Sequence, residues 1–159
     1  MRREIYFDRF RQTGWPDLRD LEAFFIAPKG HQWSYRGGND SWGLSVEGVN
    51  GTDHLDIADR RRIDIRLYMT GHPDHGVYLL YDKAGGGHPR ERYNSKGDLS
   101  RLNEHIRDLH GTPLPVGLLI PFEKAWLAVK EFMETGGALP KSIEWVEDSK
   151  LPDWAFPSP

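Results

Sequence analysis

Apolar and polar positions alternate along several short stretches of the chain, which is typical of strands with one buried face. Over residues 63–70 and 41–49 an apolar side chain recurs at every second position. Residues 77–81 are apolar on both faces, which predicts a central strand. The dipeptide Asn50-Gly51 is a hairpin signal. Further short strands are predicted at 6–10, 31–36, 93–97 and 143–145.

Apolar residues recur at helical spacing in three other stretches. The first helix is predicted to open around Pro16, because proline fits the first turn of a helix. A second is predicted over 98–109, with Asp98 as its cap, and a third between Pro121 and Gly136. The pattern therefore predicts an α+β fold in which an antiparallel meander sheet packs against two or three helices.

Composition narrows the class of protein. The chain has 159 residues and no cysteine, which excludes disulfides, thiolate zinc sites and cysteine nucleophiles. We expect one domain over 1–150 and a proline-rich tail over 151–159. No apolar run approaches the roughly 20 residues of a membrane span, and no apolar segment follows the charged start. We therefore expect no membrane span and no secretory signal.

The charge is distributed unevenly. The chain has 21 Lys and Arg against 24 Asp and Glu, a net charge of −3. Residues 120–159 hold four Lys and seven acidic residues, so residues 1–119 sum to zero. A nucleic-acid-binding protein would usually need a basic face, so we expect no nucleic-acid partner. The run Arg60-Arg61-Arg62 keeps that function open as an alternative, although nearby aspartates offset it.

No group of residues fulfils the requirements of a catalytic or metal site. His72, Asp74 and His75 share one loop, and they leave a small metal-dependent hydrolase open as an alternative. Their spacing fits no helical metal motif, and turn residues surround them. The stretch 85–87 is glycine-rich but lacks the rest of a phosphate-binding loop, and we interpret it as a flexible loop. We predict no catalytic residue, no metal and no cofactor.

A set of short strings in the second half of the chain points to a family. The strings lie at 76–81, 93–97 and 115–121, followed by Ala125-Trp126, Glu131-Phe132, Thr135-Gly136, Leu139-Pro140 and Ile143-Glu144-Trp145. Their order resembles immunity protein family one of bacterial polymorphic toxin systems, over residues 76–146. The resemblance implies a cytoplasmic antitoxin that binds a secreted toxin domain and blocks it, not an enzyme. It also implies a toxin of deaminase or nuclease type. The family has no catalytic residues that could be assigned to positions of this sequence.

The toxin-binding surface is predicted from charge. A toxin that acts on nucleic acid needs a basic substrate groove, which an inhibitor can fill with acidic side chains. Acidic residues on loops or sheet edges are therefore the candidates for toxin binding. They are Asp53, Asp56, Asp59, Asp74, Asp82 and Glu91. The closely spaced Asp53, Asp56 and Asp59 are the favoured group, and protection of a sheet edge is the alternative role for them.

Overall fold

A computed structural model of the chain describes residues 1–7, 10, 13–26, 33 and 41–158. The described residues form nine strands and two α-helices, together with four short 3-10 helices. The helices are α1 (Leu18–Ile26) and α2 (Phe122–Thr135). The strands are β1 (Arg2–Ile5), β2 (Ser41–Glu47), β3 (Asp64–His72), β4 (Gly76–Gly85), β5 (His88–Ser95), β6 (His105–Arg107), β7 (Pro113–Pro115), β8 (Leu119–Ile120) and β9 (Trp145–Glu147).

The main sheet confirms the predicted α+β meander. Its strand order is β1-β2-β3-β4-β5-β9, and every pairing is antiparallel. The short strand β8 pairs with the start of β4, beyond the end of β5. A separate ribbon is formed by β6 and β7. The strands β2 to β5 are neighbours in both chain order and space, as the alternating pattern predicts.

One face of the sheet, here called the front face, packs against both helices. Leu21 and Phe25 of α1 and Trp126 and Phe132 of α2 are buried there. They meet the apolar positions of β2, β3 and β4, which alternation had placed on one face. Burying each such side chain contributes roughly 1.5–3 kcal/mol, so this layer holds the helices on the sheet.

The opposite, back face is covered only in part within the described chain. Tyr78 and Leu80 of β4 pack there against Leu102, Leu114 and Leu118, which follow β5 in the chain. The covered half lies toward the β3–β4 hairpin. The other half carries charged side chains and lies toward the end of the sheet where β4 turns into β5.

Helix α2 has the boundaries that its sequence signals predict. Pro121 stands at its N-cap, and Gly136 ends it in the left-handed conformation with φ 71°. The amide of Gly136 bonds to the carbonyl of Met133, which closes the last turn. The hydroxyl of Tyr81 donates to the carbonyl oxygen of Gly137 at 2.9 Å, so the sheet holds the residues just beyond the helix.

The predicted helix over 98–109 is wrong. Asp98 does cap a turn, accepting a bond from the amide of Ser100, but only a 3-10 helix forms at Leu99–Arg101. The strand β6 follows, in which Ile106 pairs with Leu114 of β7. Tertiary pairing therefore overrides the helical spacing, because Ile106 packs as part of a two-stranded ribbon.

Three further expectations need correction or fall outside the described residues. The first strand is Arg2–Ile5, because the main-chain pairing with β2 precedes the aromatic residues, and the described residues of the predicted strand 6–10 lie in no strand. The glycine stretch is a tight hairpin, in which Gly86 and Gly87 have φ of 69° and 75° and join β4 to β5. Apart from Trp33, the strand predicted at 31–36 lies outside the described residues.

Candidate functional site

An insertion at residues 48–63 joins β2 to β3, although these strands are neighbours in the sheet. The amide of Val49 still donates to the carbonyl of Ile63 at 3.0 Å, so residues 50–62 leave the sheet at its end. Asn50 and Gly51 have φ of 56° and 75°, which is the turn that this dipeptide favours. The turn opens the insertion and is not a two-residue hairpin between the strands.

Side chains inside the insertion hold it in one conformation. Nη1 of Arg62 donates to the carbonyl of Leu55 at 2.9 Å, and its Nε donates to Asp64 at 3.2 Å. The hydroxyl of Thr52 bonds to the carbonyl of Val49 at 2.8 Å and accepts from the amide of Ile63 at 3.0 Å. Arg62 is only 10% exposed. It therefore anchors the insertion, a role that the sequence did not reveal.

An apolar side chain projects from this anchored insertion. Ile57 is 80% exposed, more than any other large apolar side chain in the described residues. Asp56 beside it is exposed, and its carboxylate accepts a bond from the amide of Ala58 at 3.0 Å. Single exposed apolar residues are common on protein surfaces, so Ile57 is a candidate contact because it projects beside a carboxylate from an anchored segment.

The two flanking aspartates are paired with cations. The N-terminal amine lies 2.7 Å from Oδ2 of Asp53, and this hydrogen bond lowers the pKa of Asp53. Nη2 of Arg61 lies 2.7 Å from Oδ2 of Asp59, and the hydrogen bonds from Arg61 lower the pKa of Asp59 to about 2. Both carboxylates are therefore charged at neutral pH, while Asp56 has no ion-pair partner among the described residues.

Glu91 lies at the same end of the sheet as the insertion. Its Oε2 is 4.0 Å from Nζ of Lys83, opposite it on β4. Both side chains line an open groove of about 540 Å³ between the sheet and the residues that follow α2. Asn50 of the insertion and Met1 line the same groove. The structure thus places Glu91 at one end of the sheet with the three aspartates of the insertion.

The remaining two candidates lie elsewhere. Asp74 is in the hairpin between β3 and β4, at the opposite end of the sheet, where its amide donates to Nδ1 of His72 at 3.1 Å. Asp82 was expected on a loop or sheet edge, and this is wrong. It lies within the central strand β4, on the back face, and is buried beneath Arg90. The apolar stretch ends at residue 81 but β4 continues to Gly85, so the sequence pattern did not show that Asp82 lies inside a strand.

The histidine loop shows no metal-site geometry. The rings of His72 and His75 lie 4.9 Å apart in this hairpin. Among the residues that the structure describes, no group of three His, Cys, Asp or Glu side chains is arranged to hold a metal ion. The hydrolase alternative therefore gains no structural support. No helix in the described chain has both the length and the hydropathy of a membrane span.

Comparison with known proteins identifies the class. Residues 32–147 match the family described as immunity protein Imm1, and they make up well over half of the chain. The chain therefore belongs to the Imm1 family of immunity proteins. No curated protein and no solved structure matches it. Family membership confirms the resemblance found in the second half of the sequence, implies binding to a toxin protein and suggests a non-enzymatic role.

Proposed function

We propose that this protein neutralises a toxin domain of deaminase or nuclease type by covering its active site. The contact is made by the tip of the insertion at residues 48–63, which is the part that carries Asp56 and Ile57. The observation that carries the proposal is the projecting side chain of Ile57, exposed beside Asp56 on an anchored segment. An apolar side chain of this kind contributes affinity when a partner buries it, and neighbouring carboxylates select a basic partner.

The anchoring of the tip favours tight binding. When a loop becomes ordered on binding, the binding free energy is reduced by roughly 0.5–1.5 kcal/mol for each side chain that becomes immobile. Here Arg62 and Thr52 already hold the main chain of the insertion through hydrogen bonds. The tip therefore presents Asp56 and Ile57 in a preformed arrangement, and less of the interaction energy is lost to ordering.

The charges at this end support a basic partner. A toxin that acts on DNA or RNA binds phosphates through Lys and Arg, so its active-site groove is positive. Asp53, Asp56 and Glu91 are exposed at one end of the sheet, and of these Asp56 has no ion-pair partner among the described residues, so it is the charge that a basic partner can use. Opposite charges on two proteins accelerate their association, and salt screens this effect over about 8–10 Å. The proposal thus makes a kinetic prediction that depends on salt.

The experiment uses the cognate toxin domain, made inactive by substitution. Binding kinetics are measured at low and high salt for the unaltered protein, Asp56→Lys and Ile57→Ala. Asp74→Lys is the matched control, since it makes the same charge change in a turn at the opposite end of the sheet. Asp56→Lys should slow association at low salt, and Ile57→Ala should accelerate dissociation by about tenfold.

The control variant separates a local effect from a general one. Asp74→Lys should leave both rate constants near those of the unaltered protein. If Asp56→Lys and Asp74→Lys slow association equally, the net charge of the protein controls the association rate and a contact at Asp56 does not. Unchanged rates for Asp56→Lys and Ile57→Ala would remove the insertion from the interface. The triple variant Asp53→Lys, Asp56→Lys and Asp59→Lys extends the test to the whole acidic group.

A further inference from the structure

The half of the back face that no described segment covers carries three arginines around one buried carboxylate. Arg66 and Arg92 lie directly opposite Asp82 on the two neighbouring strands. Arg90 donates from its Nε to Asp82 at 2.8 Å, and its Nη2 bonds to the second carboxylate oxygen. We call Arg66, Arg90 and Arg92 the arginine cluster.

The arginine cluster presents positive charge to solvent. The side chains of Arg66, Arg90 and Arg92 are 43%, 58% and 39% exposed, whereas that of Asp82 is 6% exposed. Asp82 lies below the three guanidinium groups and holds Arg90 in place, and Glu47 is 3.8 Å from Arg66. Two carboxylates therefore face three arginines, which leaves one positive charge over.

Two of the guanidinium groups have donors without a protein partner. The Nε atoms of Arg66 and Arg92 are buried and have no hydrogen-bond acceptor among the described residues. The Nε of Arg92 is 3.9 Å from Asp82, which is an ion-pair distance but not a hydrogen bond. Because these Nε atoms are buried, a carboxylate of a partner reaches the two guanidinium groups through their exposed ends.

An exposed tyrosine lies beside the arginine cluster. Tyr68 is 38% exposed, and its hydroxyl accepts a long bond from Arg66 at 3.4 Å. Tyrosine and arginine are two of the residue types most enriched where protein interfaces gain their binding energy. The composition of this patch is therefore that of an interface and not of an average protein surface.

The arginine cluster is continuous with the insertion. Oε2 of Glu47 is 3.7 Å from Nη2 of Arg62, at the base of the insertion, and its Oε1 is 3.8 Å from Nη2 of Arg66. A stable protein complex buries roughly 800 Å² on each partner. A few residues at the tip of a loop cannot supply that area, so the interface has to extend onto an adjoining face.

We propose that the toxin domain that binds the insertion also places a carboxylate-bearing segment on the arginine cluster. This inference rests on the proposed function and adds a second contact to it. Nucleic acid is the less favoured occupant, because Glu4, Glu47 and Asp64 offset the arginines across the wider face. A carboxylate needs only the local charge and the fork geometry of the guanidinium groups.

The test variant combines Arg66→Gln with Tyr68→Ala, which leaves the bonds between Asp82 and Arg90 intact. The matched control combines Arg101→Gln with Leu99→Ala, an exposed pair on the turn after β5. Binding to the inactive cognate toxin domain is measured for both, after thermal melting has confirmed the fold. Should the test variant fail to fold, the single change Arg92→Gln replaces it, because Arg92 makes no hydrogen bond to Asp82.

The test variant should raise Kd by about tenfold or more, mainly through faster dissociation, while the control stays within about twofold. An unchanged Kd for a folded test variant would overturn the second contact and leave the proposed function intact. If the unaltered protein does not bind the toxin domain, both proposals fail. A mixed-sequence oligonucleotide is the second probe. If the protein binds this oligonucleotide in a salt-dependent way, and the test variant loses that binding but still binds the toxin, the face binds nucleic acid.

Discussion

Gly85 and the carbonyl oxygen of Arg62 approach so closely that a β-carbon on Gly85 would lie 1.7 Å from that oxygen. Gly85 also has φ of 108°, a conformation that other residues rarely adopt. The last residue of β4 therefore packs directly against the base of the insertion. This contact joins two segments at the end of the sheet that the proposed toxin contact uses.

Gly85→Ala should destabilise the protein and loosen the insertion. Left-handed strain alone costs roughly 1–2 kcal/mol, and the clash with the main chain of Arg62 adds to it. Gly87→Ala is the matched control, because Gly87 has φ of 75° but no atom within 4 Å of the added carbon. Urea unfolding of both variants gives the comparison, and equal losses would show that the close approach has no energetic weight.

Arg62→Gln should destabilise the insertion more than Arg60→Gln. Arg62 is nearly buried and pairs with Asp64 and Glu47, whereas Arg60 is exposed. Losing hydrogen bonds to charged groups costs about 1.5–3 kcal/mol, and an exposed substitution changes stability by about 0.5 kcal/mol or less. Amide hydrogen exchange at 55–58 should accelerate in Arg62→Gln only. Unchanged exchange there would mean that Arg62 does not hold the insertion.

Phe132→Ala should cost about 3–5 kcal/mol of the free energy of unfolding, because it empties a fully buried position between α2 and the sheet. Trp126→Ala on the same helix should behave alike. Leu127→Ala is the control, since Leu127 is 51% exposed on the other side of α2. Chemical denaturation measures all three. A Trp126→Ala protein with unchanged stability and no toxin binding would move Trp126 from the core to the interface.

The buried Tyr81 makes the free energy of unfolding depend on pH in the alkaline range. Burial, with a smaller effect of the nearby Glu91 charge, raises the pKa of Tyr81 from 10.0 to about 12. The folded state therefore keeps a proton that the unfolded state has lost, so this contribution is complete below pH 10 and is lost as pH rises toward 12.

The variant Tyr81→Phe isolates that contribution. It removes the hydrogen bond to Gly137 and should cost about 1 kcal/mol at neutral pH. Its stability should then fall less steeply than that of the unaltered protein between pH 10 and 12. Denaturant midpoints at several pH values in this window give the result, and parallel curves would show that Tyr81 does not titrate differently on unfolding.

Sequence patterns predicted the elements whose signals are local. Helix α2 lies between Pro121 and Gly136, because one residue suits a helix start and the other adopts the left-handed cap. The stretch 98–109 shows the limit of this reasoning. Its apolar spacing suits a helix, yet Ile106 gains more by pairing with Leu114 in a ribbon. Spacing reports which positions share a face and does not report which partner will cover it.

From the sequence, only the residue types of the candidate site could be predicted, and not their positions in the fold. The chain shows acidic residues at Asp56 and Asp82, but their charge pattern cannot tell an exposed carboxylate from a buried one. The register of β3, β4 and β5 places Asp82 between two arginines and buries it. The same applies to Ile57, which looks like an ordinary apolar residue in the sequence and is exposed in the fold.

The sequence by itself determined the α+β class, the order of the meander and the family, since alternation, caps and short motifs are properties of neighbouring residues. Only the tertiary structure decided that Asp53, Asp56, Asp59 and Glu91 share one end of the sheet while Asp74 lies at the other. It also decided that the arginine cluster lies on a part of the back face that no described segment covers. The reason is physical: cross-strand register and burial depend on contacts between residues far apart in the chain, and no local pattern encodes them.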